Sequence, residues 1–176
     1  STTVFDPLLG WRWANNSCVY LDNRQSHAPP PPGVGIFTNR HGYISNNLSD
    51  SINLEYKLPT QFRVFLLGGS SLAGTASLYT ETGMSVNNDG TIAARTEKIL
   101  NKYHENISFQ IINLGVHGYS SINELSYYCT ELSHLPHDLV IAFHGYNDAV
   151  VCWRDKHIKP SDQPGYSQCN ILNLSN

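Results

Sequence analysis

Charge is scarce in this sequence: 14% of its 176 residues are Asp, Glu, Lys or Arg, with 11 basic against 14 acidic residues and a net charge of −3. Nothing there could neutralise a track of phosphates, which excludes a general nucleic-acid binder. Long apolar runs are missing too, and no stretch approaches the roughly 18 uninterrupted apolar residues of a membrane-spanning helix. The opening Ser1-Thr2-Thr3 has neither an initiating Met nor an apolar leader, as expected of a chain whose leader was removed or that was cut at that point. No C-x-x-C pair joins Cys18, Cys129, Cys152 and Cys169, so neither a zinc knuckle nor a thioredoxin-type redox site is indicated. The 8 histidines show no metal-ligand spacing either, and no cofactor is expected.

What remains is enough chain for one domain with its own core. The even cysteine count allows two disulfides in any of three connectivities, Cys152 with Cys169 being the most local. Asn15, Asn47, Asn106 and Asn173 each open an N-x-Ser sequon, the mark of surface glycan sites in a chain that has crossed a secretory pathway. Cysteines and sequons together point to a secreted or extracytoplasmic protein.

Residues 1–33 read as an irregular N-terminal leader that closes on the run Pro29-Pro30-Pro31-Pro32-Gly33, which lacks backbone donors and can be neither helix nor central strand. Residues 34–176 read as an α/β domain. Phe62–Leu67, Phe109–Leu114 and Asp138–Phe143 are short apolar runs of strand length. Between them, Thr91–His104 carries Ile92, Arg95, Ile99 and Tyr103 at helical spacing behind an Asp89-Gly90 start signal, and Asn123–Leu135 reads as a second helix. Apolar strands alternating with helices predict a parallel sheet with helices on its faces, and such sheets collect ligands at the carboxyl ends of their strands.

All three predicted strands end in small and polar residues: Gly68-Gly69-Ser70-Ser71-Leu72-Ala73-Gly74, then Asn113-Leu114-Gly115-Val116-His117-Gly118-Tyr119-Ser120, then His144-Gly145-Tyr146-Asn147-Asp148. A Ser just beyond a strand and a Gly-rich turn can project its Oγ into the crevice, while flanking glycines let backbone N–H groups approach an oxyanion. Leu72 replaces the second Gly of a G-x-S-x-G elbow, which argues against an ordinary α/β-hydrolase. No Gly-Lys-Ser/Thr follows, which argues against a P-loop.

These three blocks, in this order, resemble the first three motifs of the SGNH hydrolase superfamily, the GDSL-like esterases and lipases. Leu9-Gly10-Trp11-Arg12 and Phe37–Tyr43 are similar to the segment that precedes the nucleophile strand in some bacterial-type members, so the likeness covers about residues 5–150. The resemblance implies a three-layer α/β/α, flavodoxin-like sheet of parallel strands. It also implies a serine esterase acting on an O-acetyl or short O-acyl ester of a carbohydrate or lipid. Ser70 would be the nucleophile, and its own N–H, the N–H of Gly118 and the side-chain amide of Asn147 would form the oxyanion hole. Gly69 stands where Asp is commonest, a variant compatible with activity. Gly69, His117, His144 and Tyr146 are expected to line the cleft, with Tyr119 and Trp153 as further aromatic neighbours.

Family members carry their catalytic His, with an Asp three residues before it, well downstream of the third block. Here Asp155-Lys156-His157 has the two residues only two apart and sits close behind Asn147, a poor fit to that motif. Three readings follow. The first is an esterase whose Asp-x-x-His pair lies on a missing segment or a second chain that also completes the sheet. The second is a catalytically inactive secreted glycoprotein of the same fold with a binding or structural role. The third is a different doubly wound domain holding a nucleotide. A three-stranded sheet alone would leave an apolar edge, so the chain is expected to associate.

Overall fold

The computed structural model describes residues 3–19, 36–44, 53–74 and 88–155. Its centre is a three-stranded parallel sheet of β5 (Gln61–Gly68), β6 (Ser108–Gly115) and β7 (Leu139–Phe143), in the order β6-β5-β7. The first strand of the three is therefore central, and the chain reverses its direction of travel across the sheet between β6 and β7. The helix after β5 and the helix after β6 accordingly lie on opposite faces.

β5 shows why both faces must be covered. Its alternate residues Val64 and Leu66 pack with Leu72, Ala93 and Ile111 on one side. Phe65 and Leu67 pack with Ile112, Leu114, Tyr127, Leu132 and Leu135 on the other. A strand buried on both faces reads as a nearly unbroken apolar run, and Phe62–Leu67 does so except at Arg63, which is buried as well. The first face is covered by α2 (Ile92–Tyr103), capped by the Thr91 hydroxyl, which accepts from the Ala94 N–H. The second is covered by α3 (Ser121–Tyr127), which continues into a π-helical turn over Tyr128–Leu132. Two further helices start at strand ends: α1 (Ser70–Ala73), directly after β5, and α4 (Tyr146–Asp155), shortly after β7.

The predicted elements thus form, with two corrections. In α2, Ile92, Ile99 and Tyr103 face solvent, and Ala93 and Ala94 make the buried side, because small residues let the helix sit close on the sheet. The leader is not irregular where it is described. β1 (Thr3–Asp6) and β2 (Gly10–Trp13) form an antiparallel hairpin, and β3 (Cys18–Val19) pairs with β4 (Ile36–Phe37). The hairpin is anchored to the domain through indole donors: Trp13 Nε1 donates to the Gly115 carbonyl at 2.8 Å and Trp11 Nε1 to that of His117 at 3.0 Å. The proline run lies outside the described residues.

The two edges of the sheet differ. On the outer edge of β6, Glu97 accepts from the Ile111 N–H at 2.8 Å, and Asn101 exchanges two bonds with Phe109. Ile44 donates to the Asn113 carbonyl at 3.1 Å on the same edge. β7 instead exposes Leu139, Ile141 and Phe143, the last at 56%. Among the described residues no helix is long and apolar enough to cross a membrane.

Candidate active site

The carboxyl ends of β5 and β7 meet at one level, since Gly68 is the ladder partner of Phe143. Ser70 follows two residues beyond one strand and His144 one residue beyond the other. Both line a small open cleft of about 50 Å³ together with Gly69, Ser71, Tyr119, Phe143, Tyr146 and Asn147. This cleft has room for a few water-sized groups, far below the several hundred Å³ of sites that enclose drug-sized ligands.

Close backbone approaches set the position of Ser70. It is the first residue of α1, whose N-cap is Gly69. A Cβ on Gly115 would lie 2.5 Å from the Ala73 N, so only glycine lets α1 pack down on the end of β6. Asn113, fully buried in β6, holds the same helix by donating from Nδ2 to the Leu72 carbonyl at 3.0 Å. Asn147, near the start of α4, donates from Nδ2 to the Tyr119 carbonyl at 2.7 Å, which turns its amide toward the Gly69-Ser70 turn. A Cβ on Gly69 would fall 2.6 Å from that same Nδ2. Glycine at this position is therefore a steric requirement of the Asn147 placement. An amide has two N–H donors, and one of them remains beyond the Tyr119 bond.

The second block is positioned from below. Gly118 turns the chain with φ at +80°, and a Cβ there would touch the Trp11 ring at 3.3 Å. Tyr119 is 1% exposed and donates its hydroxyl to the Trp11 carbonyl at 2.6 Å; burial pushes that phenol well above its usual pKa. Tyr119 lines the cleft and Gly118 does not. His117, expected in the cleft, is not there either. Its ring is exposed and its carbonyl is taken by Trp11, because the left-handed turn at Gly118 carries residue 117 out toward the hairpin.

His144 does line the cleft, and it has a partner that motif reading missed. Its Nδ1 lies 3.2 Å from Oε2 of Glu124, a residue of α3 that is 2% exposed. The other carboxylate oxygen of Glu124, Oε1, is buried with no hydrogen-bond partner among the described residues. Burial raises the Glu124 pKa, His144 opposes that rise and the nearby Asp148 adds to it. Asp148 is itself partly desolvated, but Ser121 donates to it from both its N–H and its hydroxyl, and the net effect holds that carboxyl below the usual range. The one sequence signal for Glu124 was a carboxylate placed three residues before Tyr127 on the buried side of a helix.

Of the remaining expectations, Tyr146 lines the cleft and is largely exposed. His157, Cys169, Asn47 and Asn173 lie outside the described residues, as do the side chains of Cys18, Cys152 and Trp153. Cys129 is exposed with a free thiol, so this disulfide candidate is unpaired: it faces solvent on the π-helical turn. Asn15 and Asn106 sit on exposed turns. No group of three or more metal-ligating side chains occurs among the described residues. No protein-family model matches the chain, and no curated protein matches it.

Proposed function

We propose that the protein is a serine esterase of the SGNH type acting on a small O-acyl ester, with Ser70 as nucleophile. The observation that carries this reading is the convergence of Ser70, Asn147 and an imidazole on one cleft at the carboxyl ends of adjacent parallel strands. The sheet order, with its reversal between β6 and β7, is that of the first three strands of a flavodoxin-like sheet, which binds ligands at this switch point. In acyl transfer Ser70 Oγ attacks the ester carbonyl, and charge develops on the carbonyl oxygen. The second amide N–H of Asn147 and the backbone N–H at Ser70 are the donors proposed to stabilise it, whereas Gly118, expected as a third donor, does not line the cleft; losing one such donor costs about 10²–10³-fold in kcat. The small cleft suits an acetyl or similarly short acyl group.

The exposed apolar side chains of β7, which has no strand partner on its outer edge among the described residues while the opposite edge at β6 is closed by side chains, support the further proposal that a second chain or another segment adds to the sheet there. Exposed sequons at Asn15 and Asn106 support a secreted setting. The test is labelling by a fluorophosphonate probe together with hydrolysis of p-nitrophenyl acetate. Wild type is expected to label and Ser70→Ala to lose both signals. A wild-type chain that neither labels nor turns over would instead favour a binding module.

A further inference from the structure

We propose that His144, oriented by the buried carboxylate of Glu124, is the general base that activates Ser70. This rests on the reading of Ser70 as an acyl-transfer nucleophile, and it places the base within this chain instead of on an Asp-x-x-His segment elsewhere.

Elimination among the described imidazoles leads to the same residue. His137 stacks on Phe65 and bonds Tyr128 and Leu135, and it adjoins the opposite end of the sheet next to Asp138. His41 stacks on Tyr43, His104 packs against Phe109, and His134 sits on an exposed turn outside the cleft. His117 is turned away toward the hairpin. Among the described residues only His144 shares the cleft with Ser70, and the strand register brings the two backbones out side by side.

A serine hydroxyl needs a base, and the base needs a third group to hold its tautomer. Glu124 is that third group. Ionised, its Oε2 accepts from Nδ1–H of His144, which leaves the lone pair on Nε2. A surface carboxylate would be too mobile to fix a ring, whereas this one is held inside α3. The unpartnered Oε1 is what a purely structural pair would not retain, because an unsatisfied buried oxygen costs about 1–3 kcal/mol.

In the acylation step Ser70 Oγ forms a bond to the carbonyl carbon as its proton passes to His144 Nε2, and the carbonyl π pair moves onto oxygen. The intermediate collapses by breaking the bond to the alcohol oxygen, which leaves with the proton from Nε2. Water then repeats the sequence on the acyl-enzyme, releasing the carboxylic acid and restoring Ser70. No redox partner is required.

The charged groups facing His144 are Glu124 from α3 and Asp148 from α4. Protonating Glu124 reverses the bond, so that the acid donates to Nδ1 and Nε2 loses its lone pair. Activity is therefore expected to rise with pH along an acid limb set by the ionisation of Glu124.

The experiment uses the full 176-residue chain and follows fluorophosphonate labelling rate and p-nitrophenyl acetate hydrolysis across pH. His144→Gln, checked for folding by circular dichroism, is expected to lower the labelling rate by about 10²-fold or more. His144→Ala is expected to match it and to regain labelling when imidazole is added. Glu124→Gln, the positioning variant, is expected to lose less rate and to change the acid limb of the pH profile, which a merely structural role would leave in place. Wild-type labelling of folded His144→Gln, with Ser70→Ala silent, would overturn this proposal and leave the esterase standing. Failure of imidazole to rescue folded His144→Ala would overturn it too, as would transfer of the loss to His157→Gln. A wild-type chain that never labels would overturn both readings.

Discussion

At the amino end of the parallel sheet Arg63 uses all five guanidinium N–H donors, while at its carboxyl end Glu124 keeps a buried oxygen with no partner among the described residues. Both side chains are almost fully buried and both are ionisable. Arg63 gives two hydrogens to the carbonyls of Asn53 and Tyr56, two to those of Leu54 and Pro136, and one to Gln110, tying together the loop before β5, the turn before β7 and a neighbouring strand. Its own N–H donates to Asp138, which Lys57 also bridges at 3.0 Å. A buried cation whose every donor is matched pins structure. At the other end the polar groups sit around a cleft with capacity to spare: one N–H of Asn147, one oxygen of Glu124 and one nitrogen of His144. Spare hydrogen-bonding capacity beside an opening suits a site that binds something. Full satisfaction suits a staple.

The contrast can be broken most severely from the amino end. Arg63→Met leaves four carbonyls and Gln110 without their donor, and urea denaturation should show a loss of about 3–5 kcal/mol, with activity per folded molecule unchanged. At the carboxyl end Gly69→Ala should do the reverse. Its Cβ displaces the Asn147 amide, so kcat is expected to fall by about 10²-fold while the chain still folds, read from turnover and melting side by side. Trp13→Phe deletes the buried bond to Gly115 and should cost about 1–3 kcal/mol, with a smaller effect on rate than Gly69→Ala, because the hairpin braces the second block without entering the cleft.

The smallest effects separate the two ends by pH. Desolvation pushes Asp138 up, but the Arg63 N–H and Lys57 outweigh it and leave the carboxyl depressed. Its stabilisation is therefore present above the ordinary aspartate range and is lost as pH falls through the lowered value, so Asp138→Asn should flatten the acid limb of a melting-temperature profile. Glu124 is raised, and the sign reverses: the folded state favours the protonated acid, and stability is lost as pH rises through the raised value. Glu124→Gln should therefore melt higher than wild type above that raised value and alike below the ordinary glutamate range, gaining stability where it loses activity.

How much of this was legible in the sequence depended on how local the cause was. The three strands, the helix from Ile92 and the placement of Ser70, Tyr146 and Asn147 at strand ends were readable, because apolar runs, a Thr cap and Gly-rich turns act over a few residues. The buried face of α2 was not legible, since the larger Ile99 and Tyr103 turn to solvent and the small Ala93 and Ala94 meet the sheet. The hairpin at Trp11 and Trp13 was read as irregular because its anchors, the Gly115 and His117 carbonyls, lie about a hundred residues away. Gly69 looked like a departure from a motif until Asn147 was seen against it.

The sequence by itself determined the order of the three central strands and the two helices between them, the parallel class of the sheet and the chemistry available at its ends, because periodicity, capping and turn residues are properties of neighbours in the chain. Only the tertiary structure decided that His144 belongs to the cleft and His117 does not, and that a helix carboxylate stands behind the imidazole. Those facts depend on which strands are adjacent and on what is buried between them, and burial and charge pairing are set by distance in space.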